Sequence, residues 1–142
     1  MTDTPAPLSL TPAERRARAR ADLRLGLPVG LVSGGGAVLA AAVETIAPER
    51  FRALAARAIL AVTGRRAATL KARAYDGDIA RIVLPANVTL SWARAVADPA
   101  GDLDTPMKGP FASARGGDAT LARAAIALSK EAQVLPAVLV AP

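Results

Sequence analysis

Histidine and cysteine are both absent from this chain of 142 residues. Histidine is the usual general acid or base near neutral pH, and zinc and most transition metals are bound through histidine or cysteine. Thiol nucleophiles, Ser-His and Cys-His relays and soft-metal sites are therefore excluded. The remaining possibilities are catalysis by carboxylates with Mg²⁺, catalysis by a lysine or tyrosine base, and no catalysis. We expect that the chain is not catalytic.

Aromatic side chains are also scarce, because Phe51, Tyr75, Trp92 and Phe111 make up the whole set. The formal net charge of +6 is of a kind that attracts nucleic acid, another polyanion or an anionic membrane surface. No aromatic residue lies in a basic run, where it could stack on bases. Solvated arginines on helix faces are therefore the favoured interpretation of the charge, and a nucleic-acid partner is the disfavoured one.

The stretch from Leu27 to Val43 carries no charge and follows Arg15-Arg16, a pattern similar to a twin-arginine export signal. The stretch is shorter than the ~20 apolar residues of a spanning helix, and Gly34 to Gly36 interrupt it. We therefore predict a cytoplasmic protein with no membrane partner, and the lack of cysteine is compatible with that reducing compartment.

Turn residues divide the chain into short segments of helical or strand character. Met1 to Leu10 shows no periodic pattern and is predicted to be a mobile tail, whereas residues 11–142 are predicted to form one domain. Predicted helices begin at Thr11-Pro12, Pro48, Arg65, Leu90 and Asp118, and predicted strands cover Leu27–Val32, Ala37–Val43, Ile59–Val62, Ile79–Leu84 and Leu135–Val140. This alternation predicts an α/β or α+β fold with helices packed against a sheet.

Two of the predicted helices begin with capping residues. Thr11, Pro12 and Glu14 form the pattern of a capping box, and that helix is predicted to end at about Leu25, before Gly26. Asp118 is predicted to cap the last helix. The inner face of that helix is predicted to carry Leu121, Ala125, Leu128 and Ala132.

The order of several short motifs resembles that of a known family. They are Leu27-Pro28-Val29, Ala40-Ala41-Ala42, Pro48-Glu49, Ile59-Leu60-Ala61-Val62-Thr63, Arg66-Ala67, Arg115-Gly116-Gly117, Ala127-Leu128-Ser129-Lys130 and Leu135-Pro136-Ala137-Val138-Leu139-Val140. This order, from Glu14 to Pro142, resembles dihydroxybutanone phosphate synthase, the riboflavin-pathway lyase that acts on ribulose 5-phosphate. It is most similar to the degenerate version of that domain at the N-terminus of some proteobacterial GTP cyclohydrolase II proteins. The resemblance implies an α+β fold with a mixed sheet flanked by helices.

The chain departs from the lyase at the segments that carry its chemistry. The lyase has an acidic D-D-E-D-R-E-N-E-G-D loop where this chain has Ser33-Gly34-Gly35-Gly36. The lyase segment R-x-G-H-T-E corresponds to Arg115 to Thr120, with Asp118, Ala119 and Thr120 in place of His, Thr and Glu. A third lyase segment, T-D-F-x-x-P-G-H-I-F-P, is compressed into Pro106 to Phe111. The resemblance therefore implies no catalytic residues, no metal and no cofactor, since Mg²⁺ needs several converging oxygen ligands.

The leading functional prediction is a non-catalytic scaffold, dimerisation or regulatory domain, a pseudoenzyme associated with GTP cyclohydrolase II in riboflavin biosynthesis. The chain itself lacks the cysteines that hold the zinc of GTP cyclohydrolase II, so that catalytic half is expected beyond Pro142 or on a partner. A homodimer or other homo-oligomer is expected. The alternative is a basic binding module for nucleic acid or for a phosphorylated small molecule.

Candidate anion-binding residues are Arg115, Gly116 and Gly117, because a guanidinium and backbone N–H groups coincide there at a predicted helix start. Asp118 opposes this site, since its carboxylate competes for the same donors. Arg65 and Arg66, at another helix start, are candidates to add positive charge. Gly34 to Gly36 are interpreted as a hairpin turn rather than a phosphate loop. Asp76, Asp78, Asp102 and Asp104 are interpreted as turn residues rather than metal ligands.

Overall fold

The computed structural model describes residues 7–106 and 108–142. Its helices are α1 (Pro12–Arg24), α2 (Pro48–Ala55), α3 (Gly64–Leu70), α4 (Leu90–Ala97) and α5 (Thr120–Glu131), with a single 3₁₀ turn at Pro99–Gly101 among the described residues. Its strands are β1 (Val29–Ser33), β2 (Gly36–Ala42), β3 (Ile59–Thr63), β4 (Ile79–Val83) and β5 (Ala137–Ala141). Of the predicted tail, Met1 to Ala6 lie outside the described residues, and Pro7 to Leu10 are exposed.

The strands form one sheet in the order β1-β2-β5-β3-β4, and the predicted α+β class is confirmed. The predicted mixed sheet is wrong in one respect, because all four strand pairings are antiparallel. Strands β2 and β3 run in the same direction, but β5 lies between them and runs opposite to both. No parallel pair therefore forms among the described strands.

Helix α1 begins as its sequence predicts. The Thr11 Oγ1 atom accepts a hydrogen bond from the Glu14 N–H at 3.1 Å, and Glu14 Oε1 accepts one from the Thr11 N–H at 2.8 Å. Both halves of the capping box are present, so two N–H groups that lack helical partners are satisfied. Helix α2, by contrast, begins after Ala47 with no side-chain hydrogen bond at its cap.

Strands β1 and β2 form the predicted hairpin. Ser33 pairs with Gly36, so only Gly34 and Gly35 are left to make the turn. Neither of these glycines has a positive φ, and a Cβ atom at either would meet open space. The Gly run is therefore a tight hairpin turn, which confirms that part of the prediction.

Helices cover both faces of the sheet. Leu60, Val62 and Leu139 point to one face, where they pack with residues of α2, α3 and α4. Ala61 and Val138 point to the other face, where they pack with residues of α1 and α5. This alternation along each strand follows from the two-residue period of a β-strand. All five residues of β5 are buried, so β5 lies at the centre of the core.

The predicted cap of the last helix is wrong by one residue. Helix α5 begins at Thr120, and its cap residue is Ala119, which offers no side-chain hydrogen bond. The Asp118 carboxylate instead accepts hydrogen bonds from the Thr120 N–H at 2.9 Å and from the Thr120 hydroxyl at 2.6 Å. Asp118 therefore closes a turn before the helix. The predicted inner face is largely confirmed, since Ala125, Leu128 and Ala132 are buried and Leu121 is half-buried.

Within the described residues, no helix combines the length and the apolar character needed to cross a membrane.

Gly26 follows α1 with a φ of 80°, in the left-handed region, and a Cβ atom there would overlap the Thr45 carbonyl oxygen. We expect Gly26→Ala to lower the free energy of unfolding by about 2 kcal/mol or more, since both backbone strain and this overlap oppose it. Gly77→Ala is the matched control, because Gly77 has a φ of 86° but open space around its Cβ position. Equal losses in urea denaturation of the two variants would contradict the role of the overlap.

Candidate functional site

The place of the lyase's acidic loop contains no chemistry-bearing side chain. Gly34, Gly35 and Gly36 are exposed, and a Cβ at any of them would meet nothing within 4 Å. The first carboxylate after the turn is Glu44, whose Oε2 atom accepts a hydrogen bond from the Leu135 N–H at 2.7 Å. Glu44 thus ties the residues after β2 to the segment before β5, a structural role.

The second lyase-like segment, Arg115 to Thr120, lies against the turn before β4 and against β4 itself. Arg81, on β4, donates from Nε to Asp76 Oδ2 at 2.8 Å and from Nη2 to Asp76 Oδ1 at 3.1 Å. The same Nη2 group donates to the Gly116 carbonyl oxygen. The Arg81 and Asp76 side chains are only 13% and 11% exposed, so this two-point ion pair is largely withdrawn from water. It holds the Gly116 backbone against the sheet edge.

Two further arginines complete this network, which we name the arginine–aspartate corner (Asp76, Asp78, Arg81, Arg115, Asp118 and Arg123). Arg123 donates from Nε to both Asp78 carboxylate oxygens at 2.9 and 3.1 Å, and from Nη2 to the Asp76 carbonyl at 3.0 Å. The Arg115 guanidinium lies over the Tyr75 ring, 4.7 Å from its centroid, in a cation–π contact. Three positive and three negative side chains make the corner neutral.

Hydrogen bonding in the corner favours the charged form of its carboxylates. The hydrogen bond from Arg123 lowers the pKa of Asp78, and that of the Thr120 hydroxyl lowers the pKa of Asp118. The hydrogen bond to Asp78 in turn raises the pKa of Arg123. A general acid near neutral pH needs the opposite shift in a carboxyl group, so these two carboxylates are unsuited to that role.

The structure separates the five predicted anion-binding residues into two places. Arg115, Gly116 and Gly117 lie in the corner, where the Thr120 N–H is already used by Asp118. Arg65 and Arg66 lie on α3 and line a cavity of about 270 Å³ with Pro99 and Pro136, whose lining does not include the other three residues. Anion binding at either place stays a prediction.

Arg66 belongs to a second ion-pair cluster. Its guanidinium donates from Nη1 and Nη2 to the Asp102 carboxylate at 2.6 and 2.8 Å, and from Nε to the Val96 carbonyl at 2.7 Å. Lys108 Nζ donates to Asp102 Oδ1 at 2.7 Å and to the Thr105 carbonyl oxygen. We name Arg66, Asp102 and Lys108 the two-cation cluster. Hydrogen bonds from Arg66 and then from Lys108 hold the pKa of Asp102 well below its ordinary value.

Sequence reasoning missed this cluster. The sequence predicts Asp102 to be a turn residue and predicts no role for Lys108. Arg66 is distant from both in the chain, and Asp102 and Lys108 lie in an irregular segment. Over the described ranges, 7–106 and 108–142, no group of three or more His, Cys, Asp or Glu residues could hold a metal ion.

The chain is similar to one known protein in sequence and to another in fold. No protein-family model matches the chain. The chain is 32% identical over 151 residues to the GTP cyclohydrolase-2 of Azospirillum brasilense, an alignment that covers 99% of this chain and 39% of that protein. The chain therefore spans well under half the length of this relative. Its fold is similar to the crystal structure of 3,4-dihydroxy-2-butanone 4-phosphate synthase of Candida albicans, with a TM-score of 0.60 and 18% sequence identity over 93% of this chain and 79% of that chain.

The chain has a dihydroxybutanone phosphate synthase-like fold. The fold similarity confirms the fold implied by the sequence motifs, and the long alignment confirms the link to GTP cyclohydrolase II proteins.

The buried pair of the corner is expected to stabilise the domain. Arg81→Met leaves the Asp76 carboxylate without its partner in a largely buried position, and we expect a loss of about 3 kcal/mol in the free energy of unfolding. Arg123→Met is the matched control, because the Arg123 and Asp78 side chains are 44% and 62% exposed and water replaces the lost partner. Urea denaturation measures both losses, and a greater loss in the control would refute this assignment.

The two-cation cluster predicts a pH dependence of stability. The pKa of Asp102 is lowered in the folded state, so the ionised side chain stabilises the fold. Its contribution to the free energy of unfolding is complete above the ordinary Asp pKa of about 3.9 and is lost as the pH falls below that value. We expect Asp102→Asn to lower Tm at neutral pH and to make Tm fall less steeply below about pH 4. Asp104→Asn removes a nearby exposed carboxylate and serves as control. Parallel Tm profiles for the original chain and for Asp102→Asn would count against the assignment.

Proposed function

We propose that this chain is a non-catalytic scaffold domain, a pseudoenzyme that self-associates and stabilises or regulates GTP cyclohydrolase II in riboflavin biosynthesis. The sequence relation to a GTP cyclohydrolase-2 and the fold similarity to a dihydroxybutanone phosphate synthase support the pathway and the partner. We further propose that it acts in the cytoplasm as a homodimer.

One observation carries the non-catalytic part of the proposal: of the three lyase-like segments, one has lost its carboxylates and another, Arg115 to Thr120, is held by structural contacts. The Ser33–Gly36 turn contains no carboxylate, and Gly116 is held by Arg81. Asp118 stands where the lyase has His, and its Oδ1 atom accepts hydrogen bonds from the Thr120 N–H and hydroxyl. The acid–base and Mg²⁺ chemistry of the lyase requires several free oxygen ligands and a group that exchanges protons near neutral pH.

The proposal also assigns GTP cyclohydrolase II activity to another polypeptide segment, because this chain lacks the residues which that activity requires. In that family a zinc ion bound by cysteine activates water, and this chain contains no cysteine. In the proposal the catalytic domain is therefore attached to this chain or is a separate partner, and this domain supplies a folded surface.

The first test is an assay of the purified chain with ribulose 5-phosphate and Mg²⁺, in which the consumption of ribulose 5-phosphate is measured. The Candida albicans synthase run in parallel shows that the assay detects the reaction. We expect no more consumption than without protein, because no group of three or more acidic side chains among the described residues could hold a metal ion. Mg²⁺-dependent turnover that is lost in Asp118→Asn would overturn the pseudoenzyme proposal.

The scaffold role requires assembly, which sedimentation equilibrium measures directly. We expect the mass of a dimer for the isolated chain and co-sedimentation with the GTP cyclohydrolase II of the same organism. A chain that stays monomeric and does not bind that enzyme would contradict the proposed role, even if it lacked lyase activity.

A further inference from the structure

The two edges of the sheet differ in whether another segment covers them. At the β4 edge, the Val83 N–H donates to the Ala112 carbonyl at 2.7 Å. The Ala114 N–H donates to the Arg81 carbonyl at 2.6 Å, so a short segment covers that strand. At the other edge, no backbone group of β1 makes a hydrogen bond to a described residue outside the β1–β2 pair. The outward N–H and C=O groups of β1 can therefore pair with another strand.

Strand β1 also lacks the features that ordinarily prevent a free edge from pairing. Charged side chains, an internal proline and a bulge are the usual ones. None of the residues from Leu27 to Val43 is charged, and β1 pairs with β2 in unbroken register from Val29 to Ser33. Pro28 lies just before the strand and the hairpin turn lies just after it, which limits any new pairing to the length of β1.

One face of the β1–β2 hairpin is apolar and exposed. Helices α2, α3 and α4 cover this side of the sheet elsewhere, but the hairpin residues on it are exposed. We name them the bare strip; they are Gly30, Val32, Ala37 and Leu39. Val32 is 79% exposed. A Cβ at Gly30 would meet nothing within 4 Å, so there is space at Gly30 for a side chain from another molecule.

The distribution of charge favours a second copy of the chain as the occupant of this surface. Two molecules with a net charge of +6 repel one another, and the repulsion is weakest where uncharged surfaces meet. The hairpin is such a surface, whereas an acidic partner would find no charge on it. On the opposite face, the groove beside Leu31 contains Arg15, Arg16 and Glu131, and the last two form an ion pair at 3.3 Å.

The residues of β1 are compatible with a two-fold axis at Leu31. Antiparallel pairing of two β1 strands about that axis places Leu31 opposite its own copy and Val32 opposite Gly30 of the second copy. Each Val32 side chain then occupies the open space at Gly30 of the other molecule. Because the β4 edge is already covered, association ends at a dimer.

We propose that two copies of this chain associate edge to edge through β1, which joins their five-stranded sheets into one continuous antiparallel sheet. This inference rests on the self-association in the proposed function, and it names the surface through which the chain associates.

Cross-linking tests the position of the axis, because the chain has no cysteine of its own. In the proposed dimer the two Leu31 Cα atoms lie about 5 Å apart, within the range of a disulfide. We expect Leu31→Cys to form a disulfide-linked dimer under mild oxidation. Val38→Cys is the matched control, because Val38 is also half-buried and pairs with Leu31 one strand further from the axis. The two Val38 residues would lie about 14 Å apart and stay unlinked.

A charge substitution tests the same surface without a covalent bond. Val32→Lys places two like charges about 7 to 8 Å apart across the axis, and the position is exposed in the single molecule, so the fold is retained. We expect the Kd of the dimer, measured by sedimentation equilibrium, to rise about tenfold or more. Leu103→Lys is the control, since Leu103 is 95% exposed and lies outside the bare strip. We expect it to change the Kd less than about twofold.

The possible results distinguish this inference from the proposed function. A chain that is monomeric in sedimentation would contradict both. A dimer that persists in Val32→Lys and is not linked through Leu31→Cys would keep the proposed self-association and overturn this interface, as would equal linking of Leu31→Cys and Val38→Cys. A monomer that binds GTP cyclohydrolase II and loses that binding in Val32→Lys would assign the bare strip to that enzyme and refute a second copy as its occupant.

Discussion

The insertion of β5 between β2 and β3 is the constraint on which the rest of this domain depends. Strand β5 pairs with residues 39–42 of β2 on one side and with residues 59–62 of β3 on the other. Its five residues are buried on both faces. The two halves of the sheet, the β1–β2 hairpin and the β3–β4 pair, have no direct strand pairing with each other. The hydrogen bonds of β5 therefore join the halves, and α5, which precedes it, covers one face of the sheet they form.

Arginine holds the segments that the sheet does not reach. Arg94 donates to the Val43 and Ile46 carbonyls at 3.2 and 2.9 Å, Arg66 reaches the Val96 carbonyl, and Arg81 reaches the Gly116 carbonyl. A guanidinium presents five donors in a fixed plane and stays charged, so one side chain can satisfy several carbonyls of an irregular loop. A good part of the basic composition is thus explained by internal ties rather than by a polyanionic partner. This explanation does not extend to the exposed arginines of α1 such as Arg15 and Arg18.

Local signals allowed the elements to be predicted, and long-range pairing limited the rest. The capping box of α1, the Gly turn and the start of α4 depend on residues close together in the chain, and all three are predicted correctly. No cap is predicted for α3, although the Thr63 Oγ1 atom accepts a hydrogen bond from the Arg66 N–H at 3.0 Å. Whether the sheet is mixed or antiparallel depends on the position of β5 between β2 and β3, and β5 is distant from both in the sequence. The Arg66–Asp102 pair joins residues 36 positions apart, and no spacing in the sequence signals such a contact.

The fold can persist without the lyase chemistry because the segments concerned contribute little to the core. The Gly34–Gly36 turn and Arg115 to Asp118 are exposed, so replacing their carboxylates and histidine changes no buried apolar area. The carboxylates of a cluster that binds Mg²⁺ repel one another when the metal is absent. An ion pair between each aspartate and an arginine removes this unfavourable electrostatic energy. The corner of this chain has that second arrangement, with Arg81 and Arg123 on Asp76 and Asp78. In the proposed scaffold role, selection acts on the fold and its surfaces, and Asp118, at the position where the lyase has His, binds the Thr120 backbone N–H here.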